Sequence, residues 1–425
     1  MSVTRLEDGT LALGGVPLDR ALERLRRLEP GAGACWVYDL DGIESRARRF
    51  QRAVAALDPL IAYALKANAL PAILERLCGL GLGAESGSLG ELECAAAAGC
   101  PASRRILNGN GRSAAEAAWV ARHGVHSINA DSVAELDLLD RTAAREGTTL
   151  RVALRVNPGI ETAGHEYVAT GHDEAKFGIE PGAALEVWAH RARWGHLRLD
   201  GIHVHVGSQL EDPRPLEEML RTALDLARES ARRGAPLSLV NLGGGFGVDY
   251  SGRGIEFPLQ SYAADVAGLA ADLGVEWVFE PGRWLVAPAG VLLSEVLWLK
   301  ARGARRFAVL AAGMNDLIRP ALYGASHRIV PVRPRAGDPV PVTVVGPVCE
   351  SADVFASEIP LPPIEPGDLV AILDAGAYGA SMASNYNGRG RLAELVASGG
   401  TLTRARAGET SADLAARDRS DALEV

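Results

Sequence analysis

Between about residues 40 and 285 the chain repeats one change of texture: a short β-rich run, then a longer segment of Ala, Leu, Glu and Arg with helical period. The β-rich runs are LIAYAL (60–65), GLGAE (81–85), RRILN (104–108), VHSIN (125–129), LRVALRV (150–156), LRLDGIHVHV (197–206), LSLVNL (237–242) and EWVFE (276–280). Eight strands, each followed by a helix, predict an α/β fold of the (β/α)8 TIM-type, spanning residues 41–285. In such a barrel the functional side chains gather at the C-terminal ends of the strands. Beyond residue 285 the helical texture thins. LLSEVLWLKAR, RRFAVLAA, HRIVPVRP, PVTVVGP and LVAILDAGAY, divided by Gly and Pro, predict a mostly antiparallel β domain over 286–425. The β-like stretches LALGGVPL and ACWVYDL of residues 1–40 are expected to join it, and the polar end ETSADLAARDRSDALEV to fray.

A chain of 425 residues, 48% hydrophobic and 23% charged, has apolar material for a large domain and a second one. Its net charge of −9, with arginines scattered rather than clustered, leaves no basic stretch to displace counterions from nucleic acid. MSVTRLEDGT lacks the apolar core of a signal peptide, and AGVLLSEVLWL is interrupted by Ser294 and Glu295. A cytoplasmic protein is expected, without membrane or nucleic-acid partners. Cys35, Cys78, Cys94, Cys100 and Cys349 form no CxxC pair and no metal-ligand spacing, so free thiols and no metal site are expected.

Lys66, in YALKAN, falls at the end of the first predicted strand, where an ammonium group is out of place in a buried run. A lysine there either snorkels to water or is desolvated. Desolvation lowers an amine's pKa, and the free amine can form a Schiff base with a sugar-type substrate or with pyridoxal phosphate. The other strand ends bear on that choice. NLGGGFGVDY (241–250) follows the seventh strand, and Gly243, Gly244, Gly245 and Gly247 let the main chain approach an anion, although a glycine run also serves any tight turn. HVHVGSQ closes the sixth strand with His205 and Ser208, and EPGRW the eighth with Glu280 and Arg283. Taken singly, these are a packing histidine and a turn with a surface ion pair.

Taken in order, YALKAN, GIHVHVGSQ, NLGGGFGVDY, EPGR, GMNDLIRPALYGA, GPVCESADVFA and DAGAYGASMASNYN resemble the barrel-type (fold type III) pyridoxal-phosphate-dependent amino-acid decarboxylases. Within that family the chain is most similar to the branch acting on diaminopimelate, over about residues 35–415. The resemblance implies that Lys66 holds the aldehyde of pyridoxal 5'-phosphate and that His205 stacks on its ring. It implies that Ser208, Gly243, Gly244, Gly245 and Arg283 bind its phosphate, with Tyr378 close to the cofactor. Glu280 would keep the pyridine nitrogen protonated, which makes the ring a full electron sink. Alanine racemases share the barrel but carry an arginine there, so Glu280 argues for decarboxylation. Cys349 would donate a proton, or position its donor, and in the family this segment completes the partner chain's site in a homodimer. Arg319 and Tyr323 would take a distal carboxylate and Glu350 a distal ammonium, with Arg283 and Tyr378 also at the substrate. The implied reaction is meso-diaminopimelate to lysine and CO2, the last step of lysine synthesis. The same chemistry on another amino acid stays open, as does a non-catalytic relative that binds partner proteins. A class I aldolase would need neither Glu280 nor GPVCESAD.

Some positions depart from the family pattern. Glu85 stands where aspartate is usual and is expected to move a carboxylate near the cofactor rim. Arg112 replaces a common lysine, and Ala311 and Ala312 replace Asp-Gly. The segment 161–178, with His165 and His172, is expected to form a loop over the site.

Overall fold

The computed structural model describes residues 3–160, 177–270 and 272–417. The loop expected over 161–178, with its two histidines, lies almost wholly outside them. The chain divides into two compact units, Met1–Ile43 with Tyr250–Arg253 and Val286–Val425, and Glu44–Asp249 with Gly254–Leu285.

The second of these units is a closed barrel of parallel strands. In chain order they are Leu60–Ala64, Gly83–Ser86, Arg105–Leu107, Ser127–Ala130, Leu150–Val156, Leu197–Val204, Leu239–Asn241 and Glu276–Phe279. Each pairs with the next, and the eighth closes on the first through Val278 opposite Leu60. Inside, Leu60, Ala62, Ile106, Ala153, Leu239 and Val278 form an apolar layer with no polar atom to satisfy. Polar side chains begin one step further along the strands, towards their C-terminal ends.

The eightfold strand–helix alternation fails at its last step. Only the short turns Arg283–Val286 and Ala287–Ala289, the second a 3-10 turn, follow the eighth strand. Pro281 and Gly282 precede the first and Pro288 lies within the second, and a proline removes the amide that a longer helix needs. The long helix Leu40–Ala53 lies before the first strand instead. Its Phe50 meets Phe246, Phe279 and Trp284 edge-on, with centroids 5.3, 6.0 and 5.7 Å away, so it covers the wall beside the eighth strand.

The other unit is built on a nine-stranded sheet whose main path runs Val354–Leu361, Val340–Val345, Arg305–Leu310, Gly290–Arg302, Ala34–Asp39, Glu394–Ser398 and Thr401–Arg406. It is mostly antiparallel. The exceptions are Arg305–Leu310 beside Val340–Val345 and Ala34–Asp39 beside Glu394–Ser398, both parallel. LALGGVPL contributes to a separate three-stranded sheet, Val3–Arg5, Leu11–Leu13 and Val16–Pro17. Leu11, Leu22, Val37, Leu293 and Leu395 share the core that joins these layers. Within the polar end, Ser411–Ala415 is a helical turn, closed by a reciprocal cap between Thr410 and Asp413, and residues 418–425 lie outside the described residues. No helix among the described residues is long and apolar enough to cross a membrane.

Candidate active site

Lys66 sits in a tight turn, Leu65–Ala67, directly after the first barrel strand. Of the two environments left open for it, snorkelling or desolvated, it takes the one that reaches solvent. Its side chain is 50% exposed, because the strand stops at Ala64 and the turn lifts the stem to the barrel mouth. What fixes its head is charge: Nζ lies 3.2 Å from Oε2 of Glu85. Glu85 is fully buried, so its carboxylate forms part of the floor beneath the lysine rather than reaching the rim.

From Glu85 a polar network crosses the barrel. Asn108 Nδ2 donates to Oε1 of Glu85 at 2.7 Å and to Oε2 of Glu280 at 3.1 Å. Asn129 and Asn241 both donate to Oε1 of Glu280, at 3.1 and 2.7 Å, and His203 Nε2 lies 3.4 Å from Oε2. Burial alone would push the Glu280 carboxyl up, but His203, Lys66 and the Asn241 amide together hold it well below the usual carboxylate range. A buried carboxylate that stays ionised here can keep a basic ring nitrogen protonated.

Beyond the ends of the sixth and eighth strands, Arg283 Nη2 donates to Oγ of Ser208 at 3.0 Å, so these two predicted anion ligands come together. The glycine segment has a steric reason of its own: a Cβ on Gly244 would stand 2.4 Å from the Glu280 carbonyl oxygen. The Gly243 amide is already held by Oδ1 of Asn241 at 2.9 Å, whereas no hydrogen bond from the amides of Gly244 and Gly245 occurs among the described residues. His205 follows the sixth strand, and a Cβ on Gly243 would meet its Nδ1 at 2.9 Å. Burial, with the positive charges of Lys66 and Arg155, depresses the His205 imidazole well below its ordinary value, so it is neutral at neutral pH.

Tyr378, Cys349, Glu350, Arg319 and Tyr323 belong to the unit built on the nine-stranded sheet. Tyr378 adopts φ 55°, a left-handed conformation that costs a tyrosine energy. Cys349 is exposed rather than a buried inert thiol, and its amide donates to Oδ1 of Asn387 at 2.9 Å. Glu350 beside it is also exposed. Their loop winds around one carboxylate: Asp353 accepts the amides of Met314 and Val348, both at 2.7 Å. Arg319 is 5% exposed and bonded to His327, and Tyr323 is half-buried in the same helical turn. At the positions that depart from the family pattern, Arg112 pairs with Glu135, the Ala311 Cβ lies against Gly33, and the Ala312 amide donates to Ser294.

His203, Asn108, Asn129 and Asn241 were not singled out from the sequence. Their signal was present, since each stands, like Lys66, at or near the end of an apolar strand run. HVH also places His203 and His205 on one face by the two-residue period of a strand.

Residues 40–287 match the family described as "Pyridoxal-dependent decarboxylase, pyridoxal binding domain". The barrel and this match therefore define a pyridoxal-phosphate-dependent decarboxylase, a carboxy-lyase. The diaminopimelate decarboxylase of Pseudomonas aeruginosa is 39% identical over 415 residues, covering 97% of this chain and 98% of the relative. That of Neisseria meningitidis serogroup A is 40% identical over 375 residues, or 88% and 92% of the two chains. The solved diaminopimelate decarboxylase of M. jannaschii in co-complex with L-lysine superposes with a TM-score of 0.91 at 33% identity, covering 99% of this chain and 98% of that one. The chain belongs to the diaminopimelate decarboxylase family.

Proposed function

We propose that this chain decarboxylates meso-2,6-diaminopimelate to L-lysine and CO2, the last step of lysine biosynthesis, with pyridoxal 5'-phosphate as cofactor. The observation that carries this is the buried Glu280 carboxylate, held ionised by three asparagine amides and His203 at the end of the strand that pairs with the one leading to Lys66. The donor set fits the cofactor: an amine for its aldehyde, a carboxylate for its ring nitrogen, and Arg283, Ser208 and the Gly244 and Gly245 amides for its phosphate. When bound, the cofactor's ring accepts the electron pair released as CO2 leaves.

The protein's part is positioning and proton control. Glu280 holds a proton on the ring nitrogen by charge pairing, and the three amides keep that carboxylate from rotating away. His205, neutral, offers an uncharged face against the ring. Glu85 pairs with the Lys66 ammonium and fixes where the amine starts from. Gly243 supplies the turn beneath this shelf rather than a ligand. Cys349 delivers or positions the proton that replaces CO2, on a loop held by Asn387 and Asp353. Arg319 and Tyr323 take the distal carboxylate of the substrate and Glu350 its distal ammonium, and the family resemblance assigns both Arg283 and Tyr378 to cofactor and substrate. The family resemblance further supports a cytoplasmic homodimer in which the Cys349 loop serves the partner's site.

The test is CO2 release and lysine formation from meso-diaminopimelate with added pyridoxal phosphate, for the native chain and for Lys66→Ala. The native chain is expected to make lysine and the variant none. Cofactor bound through Lys66 without lysine formation would overturn the substrate assignment and leave the cofactor in place.

A further inference from the structure

Arg319 opens the helical turn Arg319–Tyr323 and has almost no contact with solvent. A buried guanidinium loses its hydration and needs fixed partners. One is His327, whose Nε2 lies 2.7 Å from Nη1 of Arg319. A guanidinium nitrogen can only donate, so Nε2 accepts and carries no hydrogen. The imidazole proton therefore sits on Nδ1, which lies 2.9 Å from the carbonyl oxygen of Leu373, a group that can only accept. Only the neutral Nδ1–H tautomer satisfies both contacts. Another partner is Tyr250, directly after the glycine segment. The Arg319 Cζ stands 4.6 Å from the centre of its ring, and that ring meets the His327 imidazole edge-on at 5.2 Å. Two rings on separate segments thus set both the direction and the plane of one guanidinium.

We propose that His327 and Tyr250 are positioning residues for substrate specificity, aiming the Arg319 guanidinium so that it reads the planar carboxylate at the far end of the amino acid. This rests on the assignment of Arg319 to the distal carboxylate. An arginine on a loose stem supplies a positive charge, whereas one fixed in plane supplies paired donors that match a carboxylate and nothing smaller. The ligand class selected is an amino acid with a second, distal carboxylate, over a diamine of the same length.

The test is calorimetric binding to the holoenzyme of L-lysine, which retains that carboxylate, and of cadaverine, which lacks it. His327→Asn keeps a donor for Leu373 but has no atom at the position of Nε2, whereas the longer His327→Gln can still offer Arg319 an acceptor. His327→Asn is expected to weaken lysine about tenfold or more while changing cadaverine less than about twofold, with His327→Gln recovering most of the loss. Tyr250→Leu is expected to act in the same direction, and it carries the test if His327→Asn does not fold. Equal weakening of both ligands, or none, would overturn the proposal. Arg319→Gln separates the two levels. If it leaves the preference for lysine intact, the assignment of Arg319 is wrong and the proposal falls with it. If it abolishes the preference while the His327 and Tyr250 variants keep it, the positioning role alone is wrong.

Discussion

Asp316, in the GMND motif, shows what burial does to a single side chain. It is 1% exposed, and burial pushes its carboxyl up to about 7, against the Gly313 amide and Arg389, which favour the ionised form; Asp353 nearby adds to the rise. A carboxyl whose pKa is raised by folding contributes stability that is full below its unfolded value near 3.8 and is lost as pH climbs to the folded value. Above that window the folded state carries the cost of a buried charge, about 4 kcal/mol as an upper figure. Asp316→Asn removes this titration while keeping an oxygen for the Gly313 amide. It is expected to raise the urea midpoint at about pH 8 and to leave it nearly unchanged at about pH 4. An equal drop at both values would show that the hydrogen bonds matter more than the charge. At this scale the sequence was legible where a residue broke its local pattern. Lys66 and Glu280 stand out as charges at the ends of apolar strands. The asparagines that orient Glu280 do not, because Asn at a strand end reads equally well as the start of a turn.

The barrel strands were legible because parallel strands buried on both sides form continuous apolar runs with little ambiguity. Among the strands missed in the other unit, Glu394–Ser398 is buried but only five residues long, and the others are less apolar. Val354–Leu361 pairs with one neighbour only, carries Glu358 at φ 51° and slips register, and Thr401–Arg406 is largely exposed, so neither shows a clean alternation. The glycine segment after the seventh strand was legible as a turn, but the reason for Gly244 lies in tertiary structure. Gly244→Ala would push a methyl group to 2.4 Å from the Glu280 carbonyl, and two backbones held by the barrel ladder cannot part cheaply. A loss of about 2–4 kcal/mol in urea unfolding is expected, with weaker pyridoxal phosphate binding because Glu280 moves. Gly268, in the helix Leu259–Leu269, provides the contrast, since a Cβ added there would meet nothing within 4 Å. There alanine is expected to stabilise by about 0.5–1 kcal/mol. If both substitutions cost the same, close approach is not what requires glycine at 244.

Across the whole molecule the proposed chemistry is divided between the two units of the chain. Lys66, Glu280, Ser208 and Arg283 belong to the barrel, and Cys349, Glu350, Arg319 and Tyr378 to the unit built on the nine-stranded sheet. That division makes the proposed homodimer testable without any measurement of geometry. If each site draws Lys66 from one chain and Cys349 from its partner, Lys66→Ala and Cys349→Ala homodimers are each inactive. Exchanging subunits between them gives heterodimers in which one site carries both substitutions and the other carries neither. Random exchange of equal amounts makes half the dimers mixed, each with one intact site, so about one quarter of the native turnover should appear. The recovered activity should depend on time and on protein concentration, since it waits for dimers to part and re-form. If both residues of a site came from one chain, every site in the mixture would carry one lesion and no activity would return. Lysine formation from the mixed variants, followed against each variant alone, therefore decides whether the catalytic unit is one chain or two.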